Sequence, residues 1–167
     1  MGSGVAKAIR EECPDAYEEY AAYIIEAKSL RTHPLGTIQV SIVKPSEHNV
    51  DKYSNQYIIN AITQDYYGRD GSRFVSYDAL ENCFSLVENR FPGKSVAMPK
   101  IGAGLGGGDW DIISTIMEDT FKTVQPVVYE LLNVNNSWSS VLSLYIGLYN
   151  RRKTMKKIEV GNKVEWT

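Results

Sequence analysis

The stretch Met98–Trp110, MPKIGAGLGGGDW, places five glycines within Gly102–Gly108. It follows a short apolar strand pattern, Ser95–Met98, and precedes a helical pattern, Trp110–Phe121, with Asp109 at the N-cap position. Open α/β sheets bind ligands beyond the carboxyl ends of their strands, and glycine-loop amides next to a helix N-terminus suit phosphate. No Gly-Lys-Ser/Thr closes the loop, which excludes a P-loop, and no dinucleotide-binding fingerprint follows. The alternative interpretation is a flexible turn without a ligand.

A second glycine segment, Gly2–Ala6, also leads directly into a helical pattern. Two such segments in one small domain fit a ligand whose two phosphates lie between two helix N-termini. The segment alone is weak evidence for a ligand site, because glycines at a chain start are often disordered or remain from cloning.

Strand and helix patterns alternate along the rest of the chain, which predicts a largely parallel sheet covered by helices. The first helical pattern is kinked or divided at Pro14, and Ser76 is the expected N-cap of a helix over Tyr77–Phe91. The segment Thr63–Ser76 is polar and is expected to be a loop. The strand patterns are Thr37–Val43, Tyr57–Ile62, Ser95–Met98 and Val127–Leu131.

The composition excludes several classes of protein. The 167 residues carry a formal charge of −2 and are 43% hydrophobic, so the chain fits one ordinary domain without a basic excess for non-specific nucleic-acid binding. No apolar stretch is long enough for a membrane span, and no secretory leader is expected. The two cysteines, Cys13 and Cys83, each lie inside a helical pattern and have no metal-ligand spacing, which predicts no metal site and a reducing, cytoplasmic location.

Three blocks in order resemble the macrodomain family, whose members bind ADP-ribose and related metabolites. MGSGVAKAIR with CPDAYEEY is similar to the family's first ligand loop and following helix, and IGAGLGGGDW to its second, diphosphate- and ribose-contacting loop. YIINAITQDYYG with SYDAL resembles the branch that contains ADP-ribose 1″-phosphate phosphatases and ADP-ribosyl-glutamate hydrolases. The resemblance covers residues 1–131 and implies a three-layer α/β/α domain with a mixed, largely parallel sheet.

The resemblance also implies the ligand and its binding residues. ADP-ribose or a derivative is the expected partner, without a cofactor. The diphosphate is expected across the two glycine segments, with polar side chains after the central strand near the ribose. The expected ligand-binding residues are Gly2, Ser3, Gly4, Val5, Thr63, Gln64, Ile101, Gly102, Ala103, Gly104, Leu105, Gly106 and Gly107.

One departure from the family concerns the two ends of the chain. The family has two strands before the first glycine loop, and they carry its adenine-contacting aspartate, but this chain starts inside that loop. One of the missing strands is central in the family's sheet, so its absence leaves a gap with unpaired backbone groups. We expect either that the reading frame is truncated or that the extension at residues 132–167 fills this gap, from the same chain or from a second copy in a swapped homodimer.

A second departure concerns catalysis. The hydrolase branch has a lysine after the central strand and an aspartate in the second loop. In this sequence the position of the lysine is taken by Gln64 or Asp65, and the position of the aspartate by Gly106. This disfavours a lysine nucleophile and leaves hydrolysis of ADP-ribose 1″-phosphate, or binding alone, as the expected functions. The candidate catalytic acids are Asp65 and Asp109. The alternative role of Asp109 is that of a helix N-cap, and the alternative role of Asp70, a further acid in a loop, is that of a turn former.

Overall fold

The computed structural model describes residues 4–43, 56–68, 70–131 and 155–158. Its helices are α1 (Gly4–Glu12), α2 (Pro14–Ser29), α3 (Tyr77–Arg90) and α4 (Trp110–Thr120). Its strands are β1 (Ile38–Ile42), β2 (Tyr57–Ala61), β3 (Ser95–Pro99), β4 (Gln125–Leu131) and β5 (Met155–Ile158). The predicted alternation of helices and strands is therefore confirmed up to β4, and β5 lies in the extension at residues 132–167, which was expected to fill the place of a missing strand.

The described residues divide into two compact units. The first holds α1, α2, β1 and most of β2, and the second holds α3, β3, α4 and β4 together with residues 35–37 and 61–76. α1 ends at Glu12 and Pro14 is at the first position of α2, as the proline predicted, because its ring has no N–H for the helix interior. Cys13, predicted within a helix, instead occupies the break between the two helices and is half-buried.

The first unit contains a strand pair with a polar buried face. β1 and β2 run antiparallel: residues 36–37 bond with Ile62 at one end, and the Val43 N–H donates to the Gln56 carbonyl at the other. On this face Asn60 Nδ2 donates to Gln39 Oε1 at 2.7 Å, and Gln39 Nε2 donates to Ser41 Oγ at 2.9 Å. These bonds satisfy amide groups that would otherwise be costly to bury.

The three-stranded sheet has the order β3–β4–β5. β3 and β4 are parallel, with Ser95 opposite Gln125 and Pro99 opposite Tyr129. This pair has the parallel direction that the strand–helix alternation predicts, whereas β1 and β2 are antiparallel. Both strands end at the same edge, and the glycine loop follows directly from β3.

The core of the second unit forms between its helices and β3–β4. α3 packs against α4, and Leu80, Ile113, Met117 and Val128 are completely buried. The rings of Phe84 and Phe121 have centroids 5.1 Å apart and a tilted arrangement, a favourable geometry for aromatic pairs. The core therefore fixes the start of α4, where the glycine loop ends.

Both predicted N-caps of this unit are confirmed. The Ala79 N–H donates to Ser76 Oγ at 3.2 Å at the start of α3, and the Asp111 N–H donates to Asp109 Oδ1 at 2.8 Å at the start of α4. Within α3 the Cys83 thiol is buried and donates to the Thr37 carbonyl, and burial raises its pKa to about 11. Cys83 is therefore a structural thiol rather than a nucleophile.

A carboxylate clamp holds the segment between α4 and β4. Glu88 of α3 accepts hydrogen bonds from the Val124 N–H at 2.9 Å, the Thr123 N–H at 2.8 Å and Thr123 Oγ1 at 2.7 Å. The Val124 N–H contributes most to holding the pKa of Glu88 below its ordinary value, followed by the Thr123 hydroxyl.

The clamp predicts an acid-sensitive stability. Because the folded pKa of Glu88 lies below the unfolded one, its stabilisation is complete above the ordinary glutamate value of 4.5 and is lost as the pH falls toward the folded value. Melting temperatures of Glu88→Gln and the native chain should converge in acid and separate at neutral pH. Glu81→Gln, at an exposed position of the same helix, is the control. A constant difference across this pH range would contradict the prediction.

Candidate functional site

The glycine loop forms a chain of tight turns at the carboxyl end of β3. The Ala103 N–H donates to the Lys100 carbonyl, the Gly107 N–H to the Gly104 carbonyl, and the Gly108 N–H to the Gly102 carbonyl at 2.9 Å. Gly102 and Gly107 have φ angles of +76° and +65°, a backbone region that other residues rarely adopt. The loop backbone therefore follows a defined series of hydrogen-bonded turns, and its binding of a ligand stays a prediction.

Four of these glycines, Gly102, Gly106, Gly107 and Gly108, leave no room for a side chain. A Cβ on Gly102 would lie 2.9 Å from Val75 Cγ2, and one on Gly108 would lie 2.6 Å from Val75 Cγ1. A Cβ on Gly106 would lie 2.5 Å from Gln64 Oε1 and 2.6 Å from the Gly102 carbonyl oxygen. At Gly104, in contrast, a Cβ would meet nothing within 4 Å, so this residue faces open space.

Several backbone N–H groups of the same loop have no hydrogen-bond acceptor among the described residues. Among the described residues, no acceptor lies within hydrogen-bond geometry of the N–H groups of Gly102, Gly104, Leu105 and Gly106. Gly106 is buried, and buried N–H groups in proteins almost always have a partner in protein, water or ligand. Four unpartnered amides in five consecutive residues are a set of donors suited to an anion such as a diphosphate.

The segment after β2 packs along this loop. The Gly68 N–H donates to the Leu105 carbonyl at 3.3 Å, and the N–H groups of Phe74 and Val75 both donate to the Gly106 carbonyl. These bonds bring the predicted ribose-side residues and the predicted phosphate-side residues of the second unit to one place.

Thr63 and Gln64 lie at the carboxyl end of β2, as predicted. Thr63 is buried, with an exposed fraction of 6%, and its carbonyl accepts from the Ser76 N–H. Gln64 Nε2 donates to the Tyr66 carbonyl at 2.7 Å, which fixes the side chain beside Gly106. Gln64 therefore takes up the space that a side chain at position 106 would need.

The candidate acids have different surroundings. Asp109 caps α4 through Oδ1, so it has the capping role that was the alternative to a catalytic one. Asp65 is exposed directly after Gln64, two residues beyond the buried Thr63. Asp70 accepts from the Ser72 N–H at 2.9 Å, and this bond holds the pKa of Asp70 below its ordinary value, as expected of a turn former.

Two contacts of Lys100, beside the loop, were not predicted. Lys100, the first residue after β3, contacts Glu130 of β4 with an Nζ–Oε1 distance of 3.1 Å. Its ammonium is also 5.8 Å from the centroid of the Trp110 ring. The contact follows from the parallel register, which sets residues 100 and 130 opposite each other, and this register cannot be derived from single-strand patterns.

A third missed contact lies where α3 begins. The Tyr77 hydroxyl accepts from the Asp109 N–H at 2.9 Å, and the Arg73 guanidinium stacks on the Tyr77 ring. An arginine four residues before an aromatic residue at a helix start was the signal available in the sequence. Tyr66 and Tyr67, in contrast, have exposed fractions of 75% and 59% at the rim of the same segment.

The first glycine segment belongs to the other unit. Gly4 and Val5 are the first residues of α1, so the predicted helix N-terminus is present there. Gly2 and Ser3 lie outside the described residues. The shared use of both glycine segments by one ligand stays a prediction.

The described residues include neither a candidate metal site nor a candidate membrane span. No cluster of histidine, cysteine and carboxylate residues capable of holding a metal ion occurs in the described part of the chain. Within the same residues, no helix combines the length and apolar character that a membrane crossing needs.

Comparison with known proteins gives three matches. The Macro domain family model matches residues 1–117. An uncharacterized 17.5 kDa protein of the tk-vs intergenic region of Enterobacteria phage T4 is 33% identical over an alignment of 136 residues, with coverage of 77% of this chain and 76% of the phage protein. The macrodomain of Thermus aquaticus DarG has a similar structure, with a TM-score of 0.54, 23% identity and coverage of 78% of this chain and 81% of the other. The last match shows a shared α/β fold.

Proposed function

The chain belongs to the macrodomain family, and from this premise we propose that it binds ADP-ribose and hydrolyses ADP-ribose 1″-phosphate to ADP-ribose and phosphate. The observation that carries the proposal is the set of four unpartnered amides at Gly102, Gly104, Leu105 and Gly106. Such a surface stabilises a diphosphate through several hydrogen bonds at once, without any charged side chain.

The proposed hydrolysis uses a water molecule and one carboxylate. The water attacks the phosphorus of the 1″-phosphate, the bond from phosphorus to the C1″ oxygen breaks, and the proton lost by the water passes to the leaving oxygen. We assign Asp65 as the general base, because it is exposed directly after Thr63 and Gln64, beyond the carboxyl end of β2. Asp109 has a structural role as the N-cap of α4.

A non-catalytic binder is the second candidate function. The observation that favours it is Gly106, which stands where the hydrolase branch has an acid and has no space for any side chain. A chain of this kind would hold ADP-ribose, a related nucleotide or an ADP-ribosylated protein without turnover.

One experiment separates the two candidates. Isothermal titration with ADP-ribose should give a dissociation constant in the micromolar range for either function, and phosphate release from ADP-ribose 1″-phosphate should occur only for the enzyme. Asp65→Asn should lower kcat by roughly 10²- to 10⁴-fold, the usual contribution of a general base. Asp109→Asn is the matched control, because asparagine caps a helix as well as aspartate does.

Each outcome bears on one of the two functions. Binding without phosphate release supports the binder and removes the assignment of Asp65. Equal losses in the two variants would contradict the division of roles between them. A folded chain that binds no ADP-ribose would overturn both candidate functions.

A further inference from the structure

A cation without a carboxylate partner among the described residues lies beside the glycine loop. The Cα of Arg73 is 3.2 Å from the position a Cβ on Gly107 would take, so its backbone runs along the end of the loop. Its guanidinium carbon is 4.5 Å from the centroid of the Tyr77 ring, and Tyr77 is bonded to the Asp109 N–H. The ring therefore fixes the guanidinium on the side of the loop formed by residues 107–109.

The charge of Arg73 is not neutralised within the described residues. Lys100 at the other end of the loop pairs with Glu130, whereas no acidic group in the described part of the chain pairs with Arg73. Stacking uses only one face of the guanidinium and leaves its N–H groups, which lie in the plane, free to bind an anion in a bidentate manner. Arg73 is exposed, so those groups are open to a ligand.

The two kinds of donor occupy successive parts of the loop. The unpartnered amides lie within residues 102–106, and the guanidinium lies beside residues 107–109. Two separate anion-binding groups fit a ligand with two separate anionic groups. A phosphomonoester carries nearly two negative charges at neutral pH, since its second pKa is about 6. Its binding is therefore strengthened more by a cationic guanidinium than the binding of a diphosphate that is already held by amides.

We propose that Arg73, positioned by Tyr77, binds a terminal phosphomonoester and makes the site selective for ADP-ribose 1″-phosphate over ADP-ribose. This inference rests on the proposed function and adds the residue that sets its specificity. Tyr77 is a positioning residue, because it acts only through the guanidinium.

The test compares two ligands and two arginines. Dissociation constants for ADP-ribose and ADP-ribose 1″-phosphate are measured by isothermal titration for the native chain, Arg73→Met and Arg90→Met. Arg73→Met should weaken binding of the 1″-phosphate about tenfold, the loss expected for a hydrogen bond to a charged group, and leave ADP-ribose binding nearly unchanged. Arg90 is the matched control, because its guanidinium also lies over an aromatic ring, that of Phe91, at the opposite end of α3.

Variants of Tyr77 separate positioning from direct contact. Tyr77→Phe retains the ring and should retain most of the selectivity, whereas Tyr77→Leu removes the stacking surface and should reduce it as Arg73→Met does. Arg73→Lys should restore part of the affinity, since it supplies charge without the bidentate geometry. Thermal melting of each variant checks that it is folded.

Other results would overturn the inference. Equal weakening of both ligands by Arg73→Met would place the guanidinium on the diphosphate, and no weakening of either would remove it from the site. If the native chain binds ADP-ribose with no preference for the 1″-phosphate, the specificity fails while the proposed function stands. If it binds neither ligand, the proposed function itself fails.

Discussion

Gly104→Glu should abolish detectable binding of ADP-ribose while leaving the melting temperature of the chain nearly unchanged. The substitution is tolerated by the fold, because a Cβ at this position meets nothing within 4 Å and the φ angle of Gly104 is not in the left-handed region. The new carboxylate would stand beside the unpartnered amides, where it can accept their hydrogen bonds and repel a diphosphate. Like charges brought together at a binding surface cost several kcal/mol, which corresponds to a loss of affinity of about a hundredfold or more.

The control for this prediction is Gly104→Ala. Alanine adds the same Cβ without charge or length, so its affinity for ADP-ribose should stay close to that of the native chain. Calorimetry of the three proteins, with melting curves from the same preparations, provides the comparison. If Gly104→Glu binds ADP-ribose as well as Gly104→Ala does, the amides of this loop are not the diphosphate site.

The elements that the sequence predicted best are those that depend on local chemistry. Ser76 and Asp109 were recognised as helix N-caps because a short polar side chain directly before a helical pattern can accept a hydrogen bond from the first turn, and both do so. Pro14 divided the first helical pattern for an equally local reason, the missing N–H of its ring. These features require no knowledge of the rest of the chain.

The features that the sequence did not predict depend on contacts between distant residues. Alternation in β1 indicated a strand but not that Gln39 and Ser41 form its buried face, because the partner that satisfies Gln39 is Asn60 on the neighbouring strand. The bounds of β5 were not predicted, because Met155–Ile158 contains two lysines and lacks the apolar pattern of a buried strand.

The candidate site shows the same division. Its position between β3 and α4 was predicted, because a cluster of glycines between a strand and a helix is rare without a ligand. The individual roles of the glycines were not, since composition cannot distinguish Gly104, which faces open space, from Gly106, which faces Gln64 and a carbonyl oxygen. Arg73 and Tyr77 were missed because their link to the loop passes through the backbone of Asp109.

Gly107→Ala should have the largest effect on stability of any single methyl group added to this loop. A Cβ at Gly107 would collide with the Ser72 carbonyl oxygen and approach the Arg73 Cα at 3.2 Å, and both are backbone atoms that cannot rotate away. The φ angle of +65° adds strain for any residue with a side chain. Strain of about 1 kcal/mol and overpacking of about 1–3 kcal/mol together predict a loss of roughly 2–4 kcal/mol in the free energy of unfolding.

Gly93→Ala isolates the steric part of that loss. Gly93 has a similar φ angle of +71°, but a Cβ there meets nothing within 4 Å, so only the backbone strain of about 1 kcal/mol should remain. Urea denaturation of the two variants measures the difference, and titration with ADP-ribose shows whether the movement that relieves the collision also displaces the amides. Gly107→Ala should lose ADP-ribose binding, whereas Gly93→Ala should retain it. Equal destabilisation by the two substitutions would mean that the loop and the segment at Ser72 are not in contact, and the candidate site would lose one of its walls.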